Sequence, residues 1–318
     1  MAKYLARRLL HAAITVVGVS LVIFLLLRVI PGDPAGLLFT PGSAITPDVL
    51  HAIRHDIGLD KPLWQQYFVY VGRALHGDLG RSYQTNSSVQ HQILQTAPAT
   101  LELTSGAIIV TVLVGVTAGV VSAVKHYSLL DYGTVLVASL GMSAPVFLTG
   151  LLLIFFFSVT FHWLPAAGRF NARDPGGLPD ALRHLILPSL ALGLNGAALL
   201  ARITRSCMLD VITKTYVTTA RAKGVGEGAV LLRHAFRNAL VPVVTAIGLQ
   251  VGYLLGGAVL TEAVFNWPGL GTLLVTGIFT RDYPVVQGVV LFISITFVLV
   301  NLLVDLFYVW LDPRIRYG

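Results

Sequence analysis

Residues 9–30 read LLHAAITVVGVSLVIFLLLRVI, an apolar run longer than a helix of a water-soluble domain needs. A helix crossing roughly 30 Å of hydrocarbon takes about 20 mostly apolar residues. Five further stretches meet that demand: 101–124, 132–161, 185–203, 239–261 and 284–310. The fourth is the weakest, because it is short and carries Pro188, Asn195, Gly193 and Gly196, yet no charge falls between His184 and Arg202. Composition agrees: 12% of the chain is charged against about 25% in soluble domains, and the mean hydropathy is +0.77. Lys3, Arg7 and Arg8 precede the first run as they would in a signal peptide. That run exceeds the usual apolar core of about 7–15 residues and no A-x-A site follows, so it is expected to stay as a first membrane helix.

Six spans put both termini on one side, and the basic residues choose it. With the N-terminus in the cytoplasm, the inner segments hold Lys3, Arg7, Arg8, Lys125, Arg202, Arg205, Lys214, Arg221, Lys223, Arg233, Arg237, Arg314 and Arg316, 13 of the 22 Lys and Arg. The other nine are spread over much longer outer loops together with ten carboxylates, Asp33 through Asp282. This is the positive-inside pattern, and it predicts both termini in the cytoplasm. The net charge of +7 then reflects orientation in a membrane and requires no nucleic acid. The single Cys207 excludes an internal disulfide framework.

Two regions outside the spans have sequence order of their own. In 31–99, Thr46 is placed to cap a helix that has Pro47 at its first position and Gly58 past its end. Trp64, Tyr67, Phe68, Val71 and Leu75 then recur at helical spacing. The segment reads as a small helical cap on the outer surface, its apolar face expected to pack on the spans. Docking of an outside partner on 46–76 is the second reading. The other region is the basic loop 204–238. Thr213 to Lys223 favours a short helix, capped by Thr213 or Thr215, with Arg221 and Lys223 in its last turn and Gly224 as a left-handed stop. Its small residues allow close approach of another surface. On these grounds a lipid surface, attracted to the basic residues, and a protein socket are equally supported.

Motifs for chemistry are missing. There is no G-x-x-x-x-G-K-[ST] loop, no H-E-x-x-H and no G-x-S-x-G. His51 and His55 lie four apart with no third ligand in view. Arg28, Glu102, Arg202, Glu262 and Asp305 all fall near span ends, where they are expected to reach the interface. What the spans carry is neutral: Ser143, Asn195, Gln250 and Asn301, with Pro145 and Pro188. Such residues line a pathway or bond helices together, the second being commoner. An ion-coupled secondary transporter would want intramembrane carboxylates and inverted repeats. An intramembrane enzyme would want a nucleophile with its base, or a metal pair.

Eight segments in order carry a resemblance: RRLLHAAITVVGVSLVIFLLLRVIPGDPA, IRHDIGLDKPLWQQY with HGDLGRSY, ATLELT, SAPVF, TARAKGVGEGAVLLRHAFRNALVPVV, EAVFNWPGLGTLL, RDYPVVQGVVL and NLLVDLFYVWLDPRIR. Through almost its whole length the chain resembles dipeptide- and oligopeptide-type ABC importer permeases. The large loop after span one points to the first, B-type, of the two paired permeases.

The resemblance implies an all-α membrane protein with the type I ABC importer permease fold: six transmembrane helices and a helical extracytoplasmic cap after the first. It divides the chain into 1–30 (cytoplasmic N-terminus and first span), 31–99 (cap), 100–310 (permease core with coupling segment 204–238) and 311–318 (cytoplasmic tail). It implies import of di- or oligopeptides by alternating access, although transporters of nickel, glutathione, haem and peptide antibiotics share the branch. The implied partners, besides membrane lipid, are a homologous second permease in a heterodimer, two cytoplasmic ATPase subunits or one fused ATPase, and an extracytoplasmic substrate-binding protein. This chain would bind no cofactor and catalyse nothing, ATP and Mg being used by the ATPases. Tyr216, Thr218, Thr219, Ala220, Arg221, Ala222, Lys223 and Gly224 would meet the ATPase, and Ser143, Pro145, Asn195 and Gln250 are the candidates for lining the pathway. There is one departure: the wider importer family has Glu-Ala-Ala upstream of the glycine, where this chain has Thr218, Thr219 and Ala220. That leaves open which side chain makes the polar contact to the ATPase.

Overall fold

A computed structural model describes residues 2–29, 60–171 and 176–311, with the side chains of 6–29, 60–171 and 176–304. The expected helix from Thr46 to Gly58, the His51/His55 pair, Asp305 and the tail 312–318 lie outside the described side chains. Among the described residues ten helices follow in chain order: α1 (Ala2–Val29), α2 (Leu63–Leu75), α3 (Val89–Val124), α4 (Leu129–Ser143), α5 (Val146–Thr160), α6 (Gly177–Ile212), α7 (Thr215–Ala222), α8 (Glu227–Phe265), α9 (Leu270–Phe279) and α10 (Tyr283–Leu311). Five of them, α1, α3, α6, α8 and α10, are long and apolar enough to cross a membrane. The pair α4–α5 passes the same test when the two are taken together, bent by 109° at the break between them, and counts as a sixth span if the two are one.

The span expected over 132–161 is divided into two helices, and Pro145 is the reason. A residue before proline is driven out of the helical region, and Ala144 sits at φ −78°, ψ 127°. Proline also has no N–H for the carbonyl four residues back. That carbonyl belongs to Gly141, and the Asn195 side-chain amide donates to it at 3.1 Å and to the Ala144 carbonyl at 3.4 Å.

The chain forms two compact units, residues 1–98 with 269–299 and residues 99–268 with 300–318. In the first unit, α2 lies against α1. Tyr67 Oη is 2.9 Å from Ser20 Oγ, its ring stands edge-on to Phe24, and Arg28 Nε donates to Gln66 Oε1 at 3.0 Å. Only part of the expected apolar face is covered: Tyr67 and Val71 are half-buried, while Trp64, Phe68 and Leu75 remain exposed. The same unit packs Val89, Ile93 and Ala97 of α3 against Leu270 of α9 and Val285 and Val289 of α10. Two of the segments that carry the resemblance, HGDLGRSY and RDYPVVQ, meet at the buried carboxylate of Asp282, which accepts from Ser82 Oγ (2.5 Å), Tyr83 N (3.1 Å) and Gln84 N (3.4 Å). Burial, with Asp282 beside it, pushes the Tyr83 hydroxyl up to about 12.

The second unit is organised on α6. Ala107, Thr111, Gly115 and Gly119 recur every four residues along α3, one stripe on a helix face, and they meet a matching stripe of small residues on α6. A Cβ on Gly193 would lie 2.7 Å from the Ala107 carbonyl oxygen, one on Gly115 2.9 Å from that of Ala197, and one on Gly119 2.6 Å from that of Ala201. The order of these contacts makes α3 and α6 parallel. Small residues let backbones close in where no hydrophobic force drives helices together in lipid. One turn of α6 joins three other helices. Thr111 Oγ1 of α3 donates to the Gly193 carbonyl at 2.9 Å, Asn195 reaches α4 as above, and Gln250 Nε2 of α8 donates to the Gly196 carbonyl at 3.2 Å. The stretch that looked weakest as a span is thus a 36-residue helix with three close glycine contacts and two amide tethers.

The expectation that Glu262 reaches the membrane surface is overturned. It is fully buried near the end of α8 and accepts from Thr100 Oγ1 at 2.6 Å. Next to it the Trp267 indole donates to the Ala99 carbonyl at 2.8 Å. A carboxylate is tolerated in such surroundings when donors replace water.

Candidate coupling site

Ile212 ends α6, Thr213 is its last cap, and Lys214 turns to an extended conformation (φ −72°, ψ 146°) to start α7. The expected start is corrected accordingly: neither Thr213 nor Thr215 caps α7, whose N-cap is Lys214 without a side-chain bond. The helix ends as expected. Gly224 has φ +79°, its N–H donates to the Arg221 carbonyl (2.9 Å), and Val225 N–H donates to the Ala220 carbonyl (3.3 Å). This pair of bonds is a Schellman termination, which favours glycine at the left-handed position. A Cβ on Gly224 would meet nothing within 4 Å, so within this chain it is the backbone angle, and not space, that selects glycine.

An eight-residue helix is too short to hold itself in water. Here Val217 and Ala220, three apart on one face, pack against Val230 and Val211, leaving Val217 and Val230 with no exposed surface. Tyr216, Thr218, Thr219, Ala222, Lys223 and Gly224 are exposed on the remaining faces. Ala220 alone among the expected contact residues points inward, as a seat for the helix. The Thr218 and Thr219 hydroxyls both donate to the Thr215 carbonyl at 2.8 Å, which spends their polarity inside the helix. Arg221 is held by Glu227: Nε donates to Oε2 at 3.0 Å and Nη2 to Oε1 at 2.7 Å. That contact raises the Arg221 pKa above the ordinary guanidinium value. Residue 227 thus brings a carboxylate back to the helix that lacks the family glutamate. Sequence reading passed over it because it lies beyond the glycine; its spacing, six residues after an arginine across a tight turn, is the signal available. After Gly226 the chain re-enters α8 through a π-helical turn, Val230–Phe236.

The pathway candidates gather around the bend and the central turn of α6. Ser143 is exposed and its hydroxyl donates to the Ser139 carbonyl at 3.0 Å, and Pro145 is exposed at the start of α5. Asn195 and Gln250 are tethers between helices, and Gln250 is 7% exposed. Among the described residues no group of three metal-ligating side chains occurs.

A helix pair bent at Pro145, a hub helix packed through small residues and a short seated helix are the frame of a membrane protein with five to six apolar spans. Two family models cover the chain. One described as "Binding-protein-dependent transport system inner membrane component" matches residues 115–317, and its N-terminal companion matches residues 1–104. The chain belongs to the binding-protein-dependent transport system inner membrane component family. It is 45% identical to the di/tripeptide transport system permease protein of Pseudomonas aeruginosa, covering 100% of this chain and 99% of that relative. The dipeptide transport system permease protein of Alkalihalophilus pseudofirmus is 42% identical with 100% of both covered. The glutathione transport system permease protein of Escherichia coli is 43% identical, again with 100% of both covered. A chain of the MetNI methionine ABC transporter, solved in inward-facing conformations, superposes with a TM-score of 0.58 at 18% identity, covering 70% of this chain and 96% of that one. The fold is that of a type I ABC importer permease, and the protein is a multi-pass transport subunit of the inner membrane. The family implies a partner ATPase and a substrate-binding protein.

Proposed function

We propose that this chain carries small peptides across the inner membrane, as one half of a heterodimer with a homologous permease, and that α7 is where ATPase subunits drive it. Both termini and α7 lie in the cytoplasm, by the distribution of Lys and Arg. ATP and Mg stay with the two ATPase subunits or one fused ATPase, and the binding protein delivers the substrate from outside, the side on which α2 lies. The observation that carries the reading is the construction of α7. Val217 and Ala220 hold it firmly to the permease, while its other faces present small side chains that an ATPase surface can approach closely. Movement imposed on α7 passes into α6, and the spans alternate between outward-open and inward-open states. Two features support small peptides: full-length identity above 40% to permeases named for dipeptides and di/tripeptides, and a comparable match to one named for glutathione, itself a small peptide.

The test is Gly224→Leu beside Gly224→Asn in the reconstituted transporter, measured by substrate-stimulated ATP hydrolysis with a dipeptide as probe. Asparagine tolerates the left-handed angle and leucine resists it by about 1–2 kcal/mol. Gly224→Leu is expected to insert normally and to lose stimulated hydrolysis, with Gly224→Asn retaining a measurable part. Normal stimulated hydrolysis in the leucine variant refutes the assignment of α7.

A further inference from the structure

We infer that Asp131 and Arg205 form a latch that makes α4 move with α6, so that displacement of α7 reaches the bend at Pro145. The inference rests on the assignment of α7 as the coupling helix. Asp131 is 1% exposed in the first turn of α4. Arg205 of α6 holds it from two sides, Nε to Oδ1 at 2.7 Å and Nη2 to Oδ2 at 2.8 Å. Ser122 Oγ of α3 donates to Oδ1 at 2.5 Å and Tyr127 N to Oδ2 at 3.0 Å, so the carboxylate has four donors. Holding the start of α4 does not require this pair, because Ser128 already caps the helix by accepting from Asp131 N at 3.3 Å.

The placement gives the pair its role. Arg205 stands seven residues before the end of α6, about 10 Å from the turn into α7 at the usual helical rise. Ten residues earlier on α6, Asn195 holds the other end of α4 through the Gly141 and Ala144 carbonyls. The helix between the two tethers is thereby strapped antiparallel to α6 at both ends. The next break in the helix is Ala144–Pro145, beyond which α5 leaves at 109°. A planar guanidinium on both carboxylate oxygens fixes direction as well as distance, as rigid transmission requires. Asp131 and Arg205 are positioning residues: neither faces an ATPase-contacting surface of α7, and they act through the helices they join.

The experiment uses the full transporter with Cys207→Ser and spin labels at Leu148 of α5 and Leu199 of α6, both exposed, in the nucleotide-free state and trapped with ADP and vanadate. Asp131→Asn and Arg205→Lys are expected to keep the ATPase bound and hydrolysing while the nucleotide-dependent change in label distance disappears. Dipeptide uptake per ATP hydrolysed should fall about tenfold, inside the range usual for coupling between sites. The exchanged pair Asp131→Arg with Arg205→Asp should restore part of the distance change. A full distance change in Asp131→Asn overturns the latch, as does a wild type whose labels do not move. Failure of both Asp131→Asn and the milder Arg205→Lys to assemble also overturns it, by showing a folding role alone. Gly224→Leu in the same labelled background separates the two ideas. If it abolishes the change while Asp131→Asn leaves it intact, the coupling helix stands and the latch falls; if it leaves the change intact, the assignment of α7 itself fails.

Discussion

Helices α1 and α6 are both long enough to cross a membrane, and they are built on opposite principles. In the most apolar stretch of α1 11% of the residues are buried within the chain, against 67% in α6, the least apolar of the five long helices. A lipid- or partner-facing helix needs large apolar side chains, and α1 shows them: Ile14, Val17, Val22, Leu25 and Leu26 are all exposed. A helix enclosed by other helices needs close approach and satisfied polar groups, and α6 offers glycine, alanine, Asn195 and bare carbonyls to its neighbours. In lipid, contact between helices comes from packing and hydrogen bonds, with little hydrophobic drive. Hydropathy along this chain therefore measures what surrounds a helix rather than how much depends on it.

The sharpest way to break that comparison is Gly193→Leu. A Cβ there already collides with the Ala107 carbonyl and with Val110 Cβ, both at 2.7 Å, and backbone cannot swing aside as a side-chain tip can. Overpacking of this kind costs about 3 kcal/mol or more. Thermal unfolding in detergent should shift down strongly or the protein should fail to purify as a monodisperse species. An unchanged midpoint would mean that α3 and α6 separate easily and that α6 is no hub.

Asn195→Leu comes next in size. It keeps the volume class but strips the donor from the Gly141 and Ala144 carbonyls at the bend. Interhelical hydrogen bonds of this sort average about 0.6 kcal/mol and reach about 1.7, and losing a donor to two carbonyls should fall in the upper part of that range. The measurement is again unfolding in detergent, and an effect as large as that of Gly193→Leu would place the weight of α6 on its polar groups instead of its glycines.

Much of this was legible in the sequence, and what was missed has a common cause. Five spans and the glycine stop at 224 follow from patterns inside one segment, since an apolar run and a left-handed turn are local properties. The start of α3 at Val89, a dozen residues ahead of the apolar stretch, was hidden because those turns are polar on one face and covered on the other. The bend at Pro145 was visible as a proline, but whether proline kinks a span or divides it depends on a donor for the freed carbonyl, and that donor is Asn195, 54 residues away. Asp131 and Arg205 are separated by 74 residues, Ser82 and Asp282 by 200, and no periodicity announces such pairs. Glu262 was misjudged for the same reason, its distance from the span end being readable and its burial beside Thr100, 162 residues away, not. At the candidate coupling site the exposed face follows from composition, while the seat formed by Val217, Ala220 and Val230 required knowing where the returning chain lies.

The smallest effect is expected on α1, from Gly18→Leu, and it is the most informative about what that helix faces. A Cβ at Gly18 meets nothing within 4 Å, in contrast to the 2.7 Å approach at Gly193, so leucine adds no clash inside this chain. Glycine within a helix costs roughly 0.5–1 kcal/mol relative to alanine, so removing it should leave the isolated permease unchanged or slightly more stable, within about 0.5 kcal/mol of wild type once the membrane setting is allowed for. Unfolding in detergent checks the isolated chain, and co-purification of the proposed second permease checks the assembly. A loss of about 1 kcal/mol in the isolated chain would break the contrast between α1 and α6. A neutral result there combined with loss of the partner would sharpen it, because the exposed face of α1 would then be shown to meet protein, and the low share of α1 buried within this chain would reflect a surface completed only in the heterodimer.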